Sequence, residues 1–103
     1  MDKKIPAFRL SPQAEADLEE IWLYTFGQWS FEQADEYHRG IMTDIEDLAS
    51  GSNTGQQTNA REGYWKYKLG LHVVYFRYSG DYLDVIRILH ERMDVDAHPH
   101  DQD

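Results

Sequence analysis

The sequence predicts an α+β domain in which a helix hairpin packs on a small, mostly antiparallel sheet, in the order β-α-α-β-β-β. Between residues 12 and 50, apolar residues recur at spacings of three and four, which is typical of amphipathic helices. Between residues 64 and 90 they alternate with polar ones, which is typical of strands. Short connections rich in turn-forming residues separate the segments, so consecutive elements are expected to be neighbours.

The first segment is predicted to be a strand followed by a helix. Phe8–Leu10 is the strand candidate. Ser11 and Pro12 favour a helix start, because a serine side chain accepts hydrogen bonds from free N–H groups and proline lacks one. The helix is expected to stop near Gly27, a residue suited to a left-handed C-cap. Its predicted buried face consists of Ala14, Leu18, Ile21, Trp22 and Thr25.

A second helix is predicted to begin at Ser30 or Phe31 and to end before the turn-rich segment 50–55. The connection between the two helices is so short that they must lie antiparallel, as a hairpin. The second predicted buried face consists of Ala34, Tyr37, Ile41, Ile45 and Leu48.

Residues 64–69, 71–78 and 82–90 are predicted to form an antiparallel meander of three strands. Side chains alternate between the two faces of a strand, so the meander separates into two sets. The set expected on the open face is Lys66, Lys68, Arg77 and Arg87 with Tyr64 and Tyr75, with Val85 and Leu89 on the same side of the last strand. The set expected under the helices is Trp65, Tyr67, Leu69, Val74, Phe76, Ile86 and Ile88, with Asp84 and His90 on that side.

Composition excludes several classes of protein. The chain has 103 residues, of which 41% are hydrophobic, enough for one domain with a packed core and too many for wholesale disorder. Cysteine is absent, which excludes disulfides, thiolate nucleophiles and cysteine-ligated zinc. No apolar run approaches the ~20 residues that cross a bilayer, and the first residues do not resemble a signal peptide. We therefore expect a cytoplasmic protein.

The charge is unevenly distributed along the chain. The net charge is −9, which argues against a protein that grips phosphate backbones over its whole surface. Residues 1–60 carry four basic and eleven acidic side chains, whereas residues 61–93 carry six basic and four acidic ones. Any cationic chemistry must therefore lie in the segment 61–93. Such a surface binds nucleic acid, an acidic protein groove or an acidic peptide, or else it only keeps the open face soluble and protects the sheet edges.

Several motifs resemble the ParE branch of the ParE/RelE superfamily of type II toxins, over roughly residues 8–96. The matching segments are Leu10-Ser11-Pro12, Ala16-Asp17-Leu18 with Ile21-Trp22, Gln33-Ala34, Arg61-Glu62-Gly63-Tyr64, His72 to Phe76, and Val85 to Asp94. The resemblance implies the fold already predicted, as a single toxin domain over residues 1–96 followed by a flexible acidic tail over 97–103. The sequence departs from the family pattern at Ser52, Gln56 and Trp65, where proline, a basic residue and arginine are common.

The resemblance implies a toxin that inhibits DNA gyrase by stabilising its cleaved-DNA complex, and that a cognate ParD-like antitoxin neutralises in a hetero-oligomer. No direct sequence-specific nucleic-acid binding and no membrane association are expected. Candidate residues for binding the target or the antitoxin are Arg61, Tyr64, Lys66, Lys68, Tyr75, Arg77, Arg87, Arg92 and Met93. The alternatives are a ribosome-dependent mRNA endoribonuclease of RelE type, or a relic that binds antitoxin without poisoning.

A RelE-type nuclease needs a base, an acid and cations around the scissile phosphate. The residues available for this are Tyr64, Lys66, Lys68, Arg77, Arg87 and His90. His90 is expected on the helix-facing side, away from Arg87, so a structural role is favoured and the protein is predicted not to be an enzyme.

Two acidic clusters are interpreted as solvated surface, and no metal or cofactor is expected. The tail alternates possible metal ligands, and a solvated segment explains them better. The first helix concentrates carboxylates near its N-terminus, where they favour the helix dipole on an exposed face. The residues concerned are Asp94, Asp96, His98, His100 and Asp101 in the tail, and Glu15, Asp17, Glu19 and Glu20 in the helix.

Overall fold

A computed structural model describes residues 7–58 and 61–93 of the chain. The elements are β1 (Ala7–Leu10), α1 (Pro12–Gln28), α2 (Phe31–Ser50), β2 (Gln56–Gln57), β3 (Trp65–Leu69), β4 (His72–Ser79), β5 (Tyr82–His90) and a final 3₁₀ turn (Glu91–Met93). The five strands form one sheet in the order β1-β5-β4-β3-β2, in which β1 runs parallel to β5 and the other pairs are antiparallel. The predicted fold is confirmed, and the two-residue strand β2 is an addition that alternation over so short a segment could not indicate.

A serine N-cap precedes each helix, and for α1 the sequence predicted it. The Ser11 hydroxyl accepts the Ala14 N–H at 2.9 Å, and the Ser30 hydroxyl accepts the Gln33 N–H at 3.1 Å. The helix ends at Gln28, next to the predicted stop near Gly27, but the expected left-handed C-cap is wrong, because no residue at this end has a positive φ. The chain then turns at Trp29, whose N–H still donates to the Thr25 carbonyl at 2.9 Å.

The core lies between the helix hairpin and one face of the sheet. Both predicted helix faces pack there except Trp22, with Ile41, Ile45 and Leu48 almost completely buried. The prediction for Trp22 is wrong, because this ring is only partly buried and lines the outer groove of the hairpin, against the rings of Phe26 and Phe31. Phe76 at the centre of β4 has no exposed surface. Burial of each such side chain contributes about 1.5–3 kcal/mol. The helices thus cover one side of the sheet. The other side is the predicted open face, although Lys66, Val73 and Tyr75 at its centre are themselves buried.

A register shift in β5 changes the faces that strict alternation predicts. Tyr75 pairs with Arg87 and Phe76 with Val85, so Ile86 is an extra residue in the ladder. Two residues then oppose one, and the strand resumes alternation out of phase. The predictions for Val85, Ile86 and Asp84 are therefore wrong. Val85 belongs to the core, and Ile86 lines a cavity on the open face. Asp84 lies opposite Arg77 in the β4–β5 ladder.

Candidate partner-binding surface

The predicted basic residues share the face of the sheet that the helices leave open. Lys66 lies opposite Tyr75, which in turn lies opposite Arg87. Lys68 lies opposite Val73 on the same face. The alternation of side chains along β3 and β4 was therefore sufficient to predict on which face of the sheet these residues lie.

The charges of this face are largely compensated by carboxylates of the same chain. Lys68 Nζ lies 3.0 Å from Glu91 Oε1, and Arg87 Nε lies 2.8 Å from Asp17 Oδ2. Lys66 is only 8% exposed. The sequence predicts a cationic patch, and this expectation is corrected, because the fold brings distant carboxylates to Lys68 and Arg87 and buries Lys66.

Arg9 and Asp84 form another compensated pair, at the end of the sheet nearest Arg77. Arg9 donates two hydrogen bonds to the Asp84 carboxylate, at 2.7 and 3.1 Å, and its guanidinium lies 4.1 Å from the centre of the Tyr82 ring. The hydrogen bond from Arg9 holds the pKa of Asp84 below its usual range, and Arg77 acts in the same direction. Arg9 was not among the predicted residues, because only the parallel β1–β5 pairing places it opposite Asp84.

Asp17 joins α1 to the half of β5 that β1 does not cover. Its carboxylate accepts two hydrogen bonds from Arg87, at 2.8 and 3.0 Å, and a third from the Ile88 N–H at 2.9 Å. The bond with Asp17 raises the pKa of Arg87. Asp17 is only 9% exposed, so the interpretation of its helix run as a wholly solvated face is wrong at this position. Its spacing of three residues from Ala14 and four from Ile21, one turn of helix in each direction, was the available signal.

A shallow cavity of about 260 Å³ lies on the open face near the end of β5. Its walls combine aromatic and aliphatic side chains with arginines. Arg61 flanks it, with its guanidinium 5.6 Å from the centre of the Tyr64 ring. We call this cavity the arginine pocket, and the residues that line it are Arg61, Tyr64, Tyr75, Ile86, Arg87, Leu89 and Met93.

Three of the predicted arginines keep their charge available for a partner. Within residues 7–58 and 61–93, no carboxylate forms an ion pair with Arg61, Arg77 or Arg92. All three side chains belong to exposed residues. Arg61 lines the arginine pocket with Met93, which is 58% exposed, whereas Arg92 lines the cavity that contains His90 and Arg77 lies opposite Asp84 in the sheet. Among the four predicted arginines, only Arg87 is neutralised by a carboxylate of the described residues.

The six residues considered for a nuclease do not line one cavity. Tyr64 and Arg87 line the arginine pocket, whereas Lys66 and Lys68 line a separate one of about 410 Å³. His90 and Arg87 share a third cavity, of about 430 Å³, which also contains Asp17 and Glu20. Arg77 lines none of these three cavities. The His90 Nδ1 accepts a backbone N–H, from Arg92 at 3.1 Å, so that nitrogen is not available as a base.

The part of the chain that the structure describes contains no group of three histidine or acidic side chains that could hold a metal ion. Neither helix in that part is long and apolar enough to span a bilayer. The acidic tail, including the possible ligands from Asp94 onward and the predicted tail 97–103, lies outside the described residues.

Comparison with known proteins agrees with this architecture. A family model described as "ParE toxin of type II toxin-antitoxin system, parDE" matches residues 8–95. Toxin ParE1 of Mycobacterium tuberculosis is 41% identical over 91 residues, covering 86% of this chain and 93% of its own length. Toxin ParE1 of Caulobacter vibrioides is 41% identical over 92 residues, covering 88% and 95%. A solved structure titled "Chromosomal ParDE TA system from P. aeruginosa" superposes with a TM-score of 0.74 at 19% identity, covering 84% and 96%.

The likeness to that solved structure shows the fold, a helix hairpin on a small sheet. The family model and the two ParE1 relatives define the class as that of type II toxins. The chain belongs to the ParE toxin family of type II toxin–antitoxin systems.

Proposed function

We propose that this toxin inhibits DNA gyrase by stabilising the complex in which the enzyme holds cleaved DNA, and that it does so without chemistry of its own. Stabilising one state of an enzyme requires only that the inhibitor bind that state more tightly than the alternatives. An exposed apolar pocket beside uncompensated arginines is suited to this task, because it combines buried contact area with charge.

The arginine pocket is the observation that carries the proposal. It offers Ile86, Leu89 and Met93 as an apolar floor. Arg61 borders it, and Arg92 adjoins Met93 in the same turn; neither forms an ion pair within the described residues. By contrast, the residues considered for a nuclease are divided among separate cavities, and His90 Nδ1 is occupied by the Arg92 N–H, so the nuclease alternative lacks an assembled site. The geometry therefore favours binding over catalysis.

The same face is proposed to bind an acidic, amphipathic segment of a ParD-like antitoxin in the cytoplasm. Carboxylates of such a segment would face Arg61 and Arg77, with apolar side chains in the arginine pocket. The outer groove of the helix hairpin is a poor site for an acidic segment, because Glu15, Glu19 and Asp35 line it. One surface then serves both the target and the antitoxin, which explains how the antitoxin silences the toxin.

The test is a supercoiling assay with purified toxin and a susceptible gyrase. We expect loss of supercoiling and accumulation of linear DNA after denaturation, both reversed by cognate antitoxin. Arg61→Ala should lower the inhibitory potency about tenfold, as expected for a central arginine of an interface. Arg39→Ala is the matched control, since Arg39 lies on the hairpin in an exposed pair with Asp35.

Other outcomes separate the alternatives. Cleavage of mRNA in a translating extract, with intact supercoiling, would replace the proposal with the RelE-type nuclease. A toxin that binds antitoxin but affects neither process would be a relic. An Arg61→Ala variant as potent as the wild type would move the contact away from the arginine pocket.

A further inference from the structure

The C-terminal turn Glu91–Met93 carries two residues of the proposed binding surface, Arg92 and Met93, and both are exposed. Contacts from β3, from the β3–β4 turn and from β5 hold this turn. The Glu91 N–H donates to the Leu71 carbonyl at 2.8 Å, and the Glu91 carboxylate pairs with Lys68. The Arg92 N–H donates to His90 Nδ1 at 3.1 Å. The last contact fixes the backbone at Arg92, directly before Met93 enters the arginine pocket.

The hydrogen bond to His90 determines the protonation of its ring. A backbone N–H can only donate, so Nδ1 must carry a lone pair and the proton of the neutral ring must be on Nε2. A proton on Nδ1 would place two donors against each other. The contact between Arg92 and His90 therefore exists only while His90 is neutral.

His72 stands beside His90 and is held by Tyr37. The Leu71 N–H donates to the Tyr37 hydroxyl at 3.1 Å, and this hydroxyl shares a hydrogen bond of 2.7 Å with His72 Nδ1. The two imidazole rings lie 5.4 Å apart, edge to face. Burial, and then the neighbouring His90, lower the pKa of His72, which keeps it neutral. A neutral His72 adds no positive charge next to His90.

We propose that His90 is a positioning residue, whose neutral ring anchors the Arg92–Met93 turn against the arginine pocket and releases it when Nδ1 is protonated. The proposal rests on the function proposed above, since it takes the arginine pocket as the inhibitory site. Histidine is the side chain whose charge changes between about pH 5 and 8, so release is expected on mild acidification. The inhibitory surface would thereby lose Arg92 and Met93 together.

The charged and titratable groups around His90 come from every element packed against it. Glu20 and Arg92 line the same cavity as His90, Glu91 follows it in the chain, and the His72 ring lies 5.4 Å away. Asp17 and Lys68 are compensated by Arg87 and Glu91. The full set is Asp17, Glu20 and Tyr24 from α1, Tyr37 from α2, Lys68 from β3, His72 from β4, Arg87 from β5, and Glu91 and Arg92 from the turn.

The test compares His90→Asn with His90→Ala. The Asn Oδ1 is the same number of bonds from the backbone as the histidine Nδ1 and accepts a hydrogen bond, but it does not titrate near neutral pH. The readouts are the inhibition of supercoiling and the NMR shift of the Arg92 amide, each at about pH 7.5 and 6.0. His38→Asn is the control, because His38 lines the groove on the hairpin.

Acidification should lower the inhibitory potency of the wild type and of His38→Asn about threefold to tenfold relative to that of His90→Asn. This is the effect expected from the loss of one hydrogen bond. His90→Asn should keep its potency at both pH values, and His90→Ala should be weak at both. The Arg92 amide should move with pH in the wild type but not in His90→Asn.

A His90→Ala toxin with wild-type potency and an unchanged Arg92 amide would overturn the proposal. So would a His90→Asn toxin that keeps the wild-type pH dependence. If the wild type does not inhibit gyrase, the proposed function fails, yet the Arg92 amide still reports whether His90 holds the turn. Should His90→Ala not fold, the comparison of wild type with His90→Asn decides the matter.

Discussion

The Asp17 carboxylate holds Arg87 with two hydrogen bonds, although 70 residues separate the two in the sequence. A third bond from the Ile88 N–H makes Asp17 a substitute for the strand that β5 lacks beyond Val85. The Ser11 hydroxyl donates to the Ile86 carbonyl at 2.7 Å and satisfies the same edge. The start of α1 therefore completes the sheet with side chains, and at the same time it removes the charge of Arg87 from the open face.

Replacing Asp17 tests this structural role. Asp17→Ala leaves the Ile88 N–H and Arg87 without their acceptor, so we expect the free energy of unfolding to fall by about 2–4 kcal/mol. Urea denaturation measures the change. Asp35→Ala is the matched control, because the Asp35–Arg39 pair at 2.8 Å is exposed and contributes at most about 0.5 kcal/mol. Equal losses in the two variants would show that Asp17 does not join α1 to the sheet.

Gly55 permits a close contact between the loop after α2 and the core. A methyl group at this position would lie 2.6 Å from Phe76 Cζ and 2.8 Å from the Lys66 carbonyl oxygen. Gly55→Ala should therefore lower the free energy of unfolding by about 1–3 kcal/mol, through forced displacement of Phe76 and of β3.

Gly27→Ala is the matched control with the opposite expected effect, since no atom lies within 4 Å of the added methyl group and the residue is helical. It should stabilise the protein by about 0.5–1 kcal/mol. Thermal unfolding of both variants distinguishes packing from backbone entropy, and a Gly55→Ala protein of wild-type stability would contradict the close contact.

The half-buried His72 makes stability depend on pH. Burial lowers the pKa of His72 in the folded state, and the neighbouring His90 lowers it further. Glu91 raises this pKa by a smaller amount. The unfolded chain then binds a proton that the folded chain does not, so stability is constant above about pH 6.5 and falls as the pH decreases below it.

The measurement is the urea midpoint at about pH 7.5 and 5.5, for the wild type and His72→Asn. Asn keeps an acceptor for the Tyr37 hydroxyl without titrating, so its midpoint should fall less with acidification. Parallel decreases in both proteins would assign the pH dependence to other groups.

Much of the fold could be predicted because helices and alternating strands depend on local interactions. The Ser11 cap and the period of Ile41, Ile45 and Leu48 involve residues within a few positions of one another, which a linear sequence displays directly. The core facing the hairpin and the shared face of Lys66 and Lys68 followed from the same periodicities. These determined the architecture and one side of the binding surface.

Only the tertiary structure decided which charges remain available on that surface. The pairs Arg87–Asp17 and Arg9–Asp84 join residues 70 and 75 positions apart, and they depend on how α1 and β1 lie against β5. The extra residue at Ile86 inverts the faces within β5, since a ladder can absorb an additional residue without any local signal in its composition. Periodicity specifies which way a side chain points, whereas its neutralisation depends on the carboxylate that folding brings beside it.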